Sequence, residues 1–295
     1  LFVFQRTGVA LWAAADLLAG GFIRGATAGR TTLTGEGLQH ADGQSHLLAA
    51  TNPATVSYDP AYGYEIAHIV RDGLERMYGG HHPDPNVMYY ITLYNEPYVQ
   101  PVEPENVDVD GIVRGIHRIS QGEGEGHRAQ LFASGVGLPW VLEAQELLKN
   151  DWGVVADVWS VTSWTELRRD GLAADEHNYL HPAEEPRTAY LTEKLRGAEG
   201  PVIAVSDYMH AVQDQIRPWV PQPFYTLGAD TFGFSDTRAA ARRYFKIDGP
   251  SIVVRALQAL AAEGKVDRAV VGQAIEKYRL FDVNAGTSGN AGGES

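Results

Sequence analysis

The chain predicts an α/β fold with parallel strands, and three observations carry that reading. Short continuous apolar runs, such as residues 87–93, have strand length and no alternation, as expected of strands covered on both faces. Segments of helical period stand between them, as with Ile66, Ile69, Val70, Leu74 and Met77. Glycine pairs and Asp-Pro or Ser-Asp steps punctuate the changes of period. Strands that alternate with helices imply crossover connections in a parallel sheet.

The elements follow in order. Val9, Trp12, Ala13, Asp16 and Leu17 set the rhythm of a buried amphipathic helix that stops at Gly20-Gly21, and residues 22–26 read as a strand. Residues 29–46, GRTTLTGEGLQHADGQSH, have no apolar period and form a polar loop. A second strand occupies 54–58, and Asp59-Pro60 reads as the start of a helix closed by Gly79-Gly80. After the strand at 87–93, residues 97–126 turn acidic and rich in proline and glycine, with a short strand or helix at 112–119. The second half predicts strands at 130–133, 154–161, 202–205 and 224–227. Its helices fall at 139–149, at 208–217 from Ser206 or Asp207, from Ser235 or Asp236 to Phe245, around Val253–Leu260, and around Val271–Tyr278. The resulting division is 1–100, a connecting segment 101–128, a second unit 129–283 and a disordered polar tail 284–295.

Composition excludes several classes of function. The 295 residues carry 24 basic and 37 acidic side chains, a net charge of −13, with no basic cluster for nucleic acid or a membrane surface. There is no cysteine, so disulfides, thiolate nucleophiles and cysteine zinc sites are out, which suits a reducing cytoplasm. Arg6 and Asp16 interrupt the apolar start, so it is neither a signal peptide nor a membrane span, and the abrupt Leu1 predicts a processed or truncated chain.

Candidate chemistry concentrates in the polar loop. His40 stands among glycines that let backbone approach a ligand, and an imidazole there can donate to an oxyanion or move a proton near neutral pH. The competing reading is a loop histidine bonded to a neighbouring carboxylate. His46, after Asp42, fits a helix cap or a supporting contact better than a metal ligand, because the spacing matches no ligand motif. Glu36 and Asp42 make a weak acid pair, and His81-His82 reads as a solvated turn. Phe2 and Phe4 are able to stack on a flat heteroaromatic ring, with core packing as the alternative. GEGEG at 122–126 and GVG at 135–137 are incomplete as phosphate loops.

The strings FQR at 4–6, WAA at 12–14, GRTTLTGEGLQH at 29–40, SYDPAYGYE at 57–65, DGLERMYG at 72–79, VTSWTELRRDG at 161–171, NYLHP at 178–182, SDYM at 206–209 and GFSDTR at 233–238 carry a resemblance. Over residues 1–282 the chain resembles the homodimeric bacterial pyruvate dehydrogenase decarboxylating component, a transketolase-like thiamine diphosphate enzyme; VMYYITLYNEP at 87–97 suggests its actinobacterial branch. The resemblance implies a partial pyrimidine-binding domain over 1–100 followed by a transketolase C-terminal-type α/β domain. It implies oxidative decarboxylation of pyruvate, a step that follows glycolysis, with transfer of the acetyl group to the lipoyl arm of an acyltransferase component. The implied cofactors are thiamine diphosphate and Mg2+, in a site shared with a second decarboxylating subunit. His40 matches the histidine beside the substrate-derived part of the cofactor, and Phe2 the aromatic residue packed on its aminopyrimidine ring.

The departures from the family pattern are equally specific. No Gly-Asp-Gly diphosphate motif occurs, the near misses at 71–73, 108–111 and 169–171 sit elsewhere in the pattern, and no metal ligand is assigned. The activating glutamate is expected upstream of Leu1. The isolated chain is therefore expected to be inactive until the missing part is supplied. The rival readings are a non-catalytic dimerisation or docking fragment, and a related thiamine diphosphate enzyme for another 2-oxo acid or a ketose.

Overall fold

The computed structural model describes residues 3–33, 38–80, 84–287 and 289. Phe2, Glu36, His81 and His82 lie outside the described residues, as does most of the 284–295 tail.

Two sheets organise the described residues. Helix α1 (Val3–Asp16) leads into β1 (Gly21–Ala26), then α2 (Ser45–Ala50), β2 (Thr55–Tyr58), α3 (Gly63–Tyr78) and β3 (Met88–Leu93). The three strands form a parallel sheet in the order β1-β3-β2, with Gly21 opposite Met88 and Thr55 also opposite Met88 on the other side. Helix α4 (Val109–Arg114) and β4 (His117–Ser120) follow, then β5 (Arg128–Ala133), α5 (Leu138–Trp152), β6 (Val155–Ser160), α6 (Trp164–Leu180), α7 (Tyr190–Lys194), β7 (Val202–Val205), α8 (His210–Asp214), β8 (Phe224–Leu227), α9 (Arg238–Phe245), α10 (Gly249–Ala262) and α11 (Arg268–Lys277). The second sheet runs β4-β6-β5-β7-β8, parallel except for the β4 edge.

The apolar runs are continuous because both faces of the second sheet are covered. Ala129, Leu131 and Ala133 join the core under α5 and α10, as do Ala156, Val158, Ile203 and Val205. Phe132, Trp159, Val161, Val202 and Ala204 face the opposite core with Trp164 and Leu167 of α6. Successive side chains point to opposite faces, so no polar alternation survives.

Several expectations need correction. Asp59 does not cap α3, which begins at Gly63; Glu65 takes the backbone N–H groups of Ala61 (2.6 Å) and Tyr62 (3.0 Å) instead. Asp207 does not cap α8, whose N-cap is Met209, and α9 is capped by Thr237, which accepts from Ala240 N–H, rather than by Ser235 or Asp236. Helix α6 was missed because its polar residues hide its apolar stripe. Its start was legible as Ser163-x-x-Glu166, where the serine hydroxyl accepts from Glu166 N–H at 3.1 Å. The α1 helix forms, but Val9 and Trp12 are exposed rather than buried. The start of the expected disordered tail is ordered: residues 283–285 make a 3-10 turn, and the Thr287 hydroxyl donates to Glu143 Oε2 at 3.0 Å.

Candidate functional site: the His40 loop and its seat

The loop after β1 leaves the first sheet and is held by the second. Gly29 has φ +83°, and a Cβ there would meet Asp207 Oδ2 at 2.2 Å, so only glycine lets the backbone pass this close. Arg30 N–H donates to the Asp207 carbonyl at 3.1 Å. Thr31 donates twice to the Asp207 carboxylate, from its N–H to Oδ2 at 3.0 Å and from its hydroxyl to Oδ1 at 2.9 Å. Arg242 Nε donates to the Thr31 hydroxyl oxygen at 3.2 Å, and Arg238 Nε to the Thr32 carbonyl at 3.1 Å.

The loop then returns through a 3-10 turn, Leu38–His40, with His40 half-buried. Arg30 Nη1 reaches the Ala41 carbonyl at 3.4 Å across the neck. Asp42 Oδ1 accepts from Gln44 and Ser45 N–H, at 3.1 and 3.0 Å, and so starts α2. The Gly43 carbonyl accepts Met209 N–H at 3.0 Å. Burial pushes the Asp207 carboxyl up to about 7, against the pull of Arg242 and the Thr31 bonds, while burial lowers the Arg30 guanidinium despite Asp42, Asp207 and Asp230 nearby. Glu96, just past β3, pairs with the buried Arg242 through both terminal guanidinium nitrogens, Nη1 and Nη2.

Beneath the loop, a second polar cluster joins the two sheets. Asp59 is buried and accepts three hydroxyl bonds: Thr92 at 2.6 Å, Tyr94 at 2.5 Å and Ser134 at 2.6 Å. Its N–H donates to Thr162 and its carbonyl accepts from Gly135, both in the second unit. His46, also buried, sits edge-on to Tyr208 and touches Ser57 Oγ through Nδ1 (2.6 Å) and Thr92 Oγ1 through Nε2 (3.2 Å). The single Thr92 proton goes to Asp59, so its oxygen accepts from Nε2–H and Ser57 donates to Nδ1; the network assigns the Nε2–H tautomer. Burial lowers the imidazole below its ordinary value, so His46 is a neutral supporting residue.

Residues 1–101 match the family model described as "Pyruvate dehydrogenase E1 component middle domain", and residues 115–248 match "Transketolase-like TK C-terminal domain". The chain is 59% identical to the pyruvate dehydrogenase E1 component of Mycolicibacterium smegmatis over 97% of its own length and 31% of that protein's. The chain is similar to bacterial pyruvate dehydrogenase E1 components over nearly its whole length. Its E1 relatives include the Mycobacterium tuberculosis protein, 58% identical over 97% of this chain and 30% of the relative, and that of Escherichia coli, 48% identical over 95% and 31%. The chain thus spans about 31% of the length of the E1 components it matches. In fold it is similar to a transketolase from Pichia stipitis, with a TM-score of 0.60 at 16% identity over 90% of this chain and 33% of that one. A split-gene transketolase solved as an inactive tetramer has a TM-score of 0.58 at 16% identity, over 88% of this chain and 74% of that one.

Against this E1 framework, the structure brings His40, Asp42 and His46 into one loop-and-helix unit but gives them different jobs. Asp42 starts a helix, His46 fills the polar core, and His40 stands at the half-buried turn. The described residues hold no group of three or more His, Cys, Asp or Glu able to bind a metal. Among the described residues, then, no cluster fits the metal that accompanies thiamine diphosphate. The sequence reading missed Asp59, Glu96, Asp207 and Arg242, whose partners are distant in the chain.

Proposed function

We propose that this chain is the later portion of an E1 component that oxidatively decarboxylates pyruvate and passes the acetyl group to the lipoyl arm of an acyltransferase component in the cytoplasm. One observation carries the reading: pyruvate dehydrogenase E1 components match 97% of the chain, His40 loop included. In this reading residues 1–100 are part of the pyrimidine-binding unit and residues 129–283 the C-terminal unit. Thiamine diphosphate, when bound with Mg2+, supplies the carbanion that pyruvate needs. Its ligands come from the rest of the enzyme and the second subunit. His40 donates a hydrogen bond to substrate oxygen as charge shifts onto it, and Phe2 packs on the aminopyrimidine ring.

The test mixes this chain with a polypeptide carrying the upstream two thirds of an E1 component and follows pyruvate-dependent reduction of an artificial electron acceptor. Activity should appear only in the mixture. In that complete enzyme His40→Ala should lower turnover roughly 100-fold or more. A half-buried turn residue should cost less than about 0.5 kcal/mol of stability. Unchanged turnover removes the catalytic assignment. A second reading is a non-catalytic docking fragment of the complex. Calorimetry with thiamine diphosphate and Mg2+ separates the two, because a docking fragment releases no heat with or without the upstream part.

A further inference from the structure

We infer that Asp207 is a positioning residue: the turn after β7, residues 207–209, is the seat on which both legs of the His40 loop are built. The inference rests on the reading of His40 given above.

The outgoing leg is fixed by one carboxylate. Both Thr31 donors end on Asp207, and Arg30 N–H ends on its carbonyl. The returning leg is fixed two residues later, where Met209 N–H donates to the Gly43 carbonyl at 3.0 Å. A rigid two-residue spacing on the second unit therefore sets the separation of the two ends of a loop that rises from the first. The loop has no apolar stripe with which to fix itself, and its outer turn rests on Gly233, whose added Cβ would meet Ala41 Cβ at 2.6 Å and the Leu38 carbonyl at 3.3 Å.

The hydroxyl geometry gives the contact a direction. Arg242 Nε–H points at the Thr31 oxygen, so the one hydroxyl proton must go to Asp207 Oδ1. Arg242 is in turn oriented by Glu96, directly beyond β3. Glu96, Arg242, Thr31 and Asp207 thus form a hydrogen-bonded line across the seam between the sheets, and its links through the Arg242 guanidinium are charge-assisted, a kind stronger and more directional than neutral ones. Replacing the carboxylate by an amide keeps the volume but puts an N–H2 group where an acceptor is needed. The neck of the loop then shifts, and His40, several residues further out, moves with it. Displacement of about 1 Å at a reacting group is enough to cost roughly 100-fold in rate.

The experiment is a double-mutant cycle in the enzyme completed with the family's remaining polypeptide. Asp207→Asn and Thr31→Val should each lower kcat roughly 10- to 100-fold with KM for pyruvate within about twofold. Each effect should shrink below about threefold in a His40→Ala background, since residues acting through one another do not add. Hydrogen exchange on this chain should quicken at residues 29–33 and 41–45 in Asp207→Asn and stay unchanged in α10. Full kcat in both variants, or the same loss with and without His40, overturns the inference. If His40→Ala lowers turnover and Asp207→Asn does not, only this inference falls; if His40→Ala is silent, the catalytic reading falls and takes it along. Should Asp207→Asn fail to fold, Thr31→Val carries the test, because it removes only the hydroxyl end of the contact.

Discussion

Asp59→Ala should be among the most damaging single substitutions in this chain, and its cost follows from the bonds it breaks. Three buried hydroxyls, on Thr92, Tyr94 and Ser134, lose their acceptor together. Each buried donor left without a partner costs about 1–3 kcal/mol. Two have partial alternatives: Thr92 lies 3.1 Å from the Tyr58 carbonyl and Tyr94 lies 3.4 Å from the Tyr208 hydroxyl. Ser134 has none among the described contacts, although its oxygen still accepts from Trp164 Nε1 at 3.0 Å. A full penalty at Ser134 and partial ones at the other two give about 2–4 kcal/mol. That is a large fraction of the ~5–15 kcal/mol that holds a typical protein folded. Asp59→Asn keeps the oxygen that serves Thr92 and Tyr94, and its N–H2 faces a serine oxygen able to accept, so it should cost about 1 kcal/mol. Urea unfolding of the three proteins reads these values directly; a loss of about 3 kcal/mol moves the midpoint by roughly 1 M or more. Equal stability of the Ala and Asn variants, or an Asn variant worse than Ala, would refute the reasoning.

The pH dependence of stability should show two opposed groups. Asp207, raised from 3.8 to about 7, holds a proton in the folded state that the unfolded chain has released. Its contribution is complete below pH 3.8 and is lost as pH rises through about 7, so Asp207→Asn should flatten that loss in urea titrations taken across the window. His46 acts the other way, because the unfolded chain takes up a proton near its ordinary 6.5 that the buried ring refuses. Stability should fall as pH drops below 6.5, and His46→Gln should remove that fall. Nitrogen-15 NMR of His46 should show the Nε2–H neutral tautomer at pH 7, and an Nδ1–H signal would contradict the hydrogen-bond network. Gly29→Ala, which meets both a φ of +83° and the Asp207 oxygen, should cost about 2–4 kcal/mol. It should also quicken exchange locally at the start of the loop, and an unperturbed loop would show that the close approach is unimportant.

The elements were legible wherever the signal was local. The apolar run at 87–93 became β3, and the helical rhythm of Ile66 to Met77 became α3, because period and burial act within one segment. The aperiodic stretch that starts at Gly29 was legible as a loop, and His46 as a side chain making a supporting contact. What failed was anything decided across the seam. An aspartate followed by proline reads as a helix cap, yet Asp59 instead collects hydroxyls from Thr92, Tyr94 and Ser134. Asp207 likewise looked like a cap before a helix, while its real partner Thr31 lies 176 residues away. Caps and turn residues are the side chains that bond backbone readily, so local rules claim them first, and only the folded topology shows which are spent elsewhere. The antiparallel β4 edge was missed for the same reason, since strand direction is a property of the neighbour.

The seat of the loop also limits how this protein may be recombined. Thr31 and Gly43 belong to the stretch that carries β1 to β3, whereas Asp207, Met209, Arg238 and Arg242 belong to the other half. A chimera that joins one relative's first hundred residues to another's remainder inherits two surfaces that were never fitted together. Such a hybrid can fold each half soundly and still hold its histidine at the wrong height.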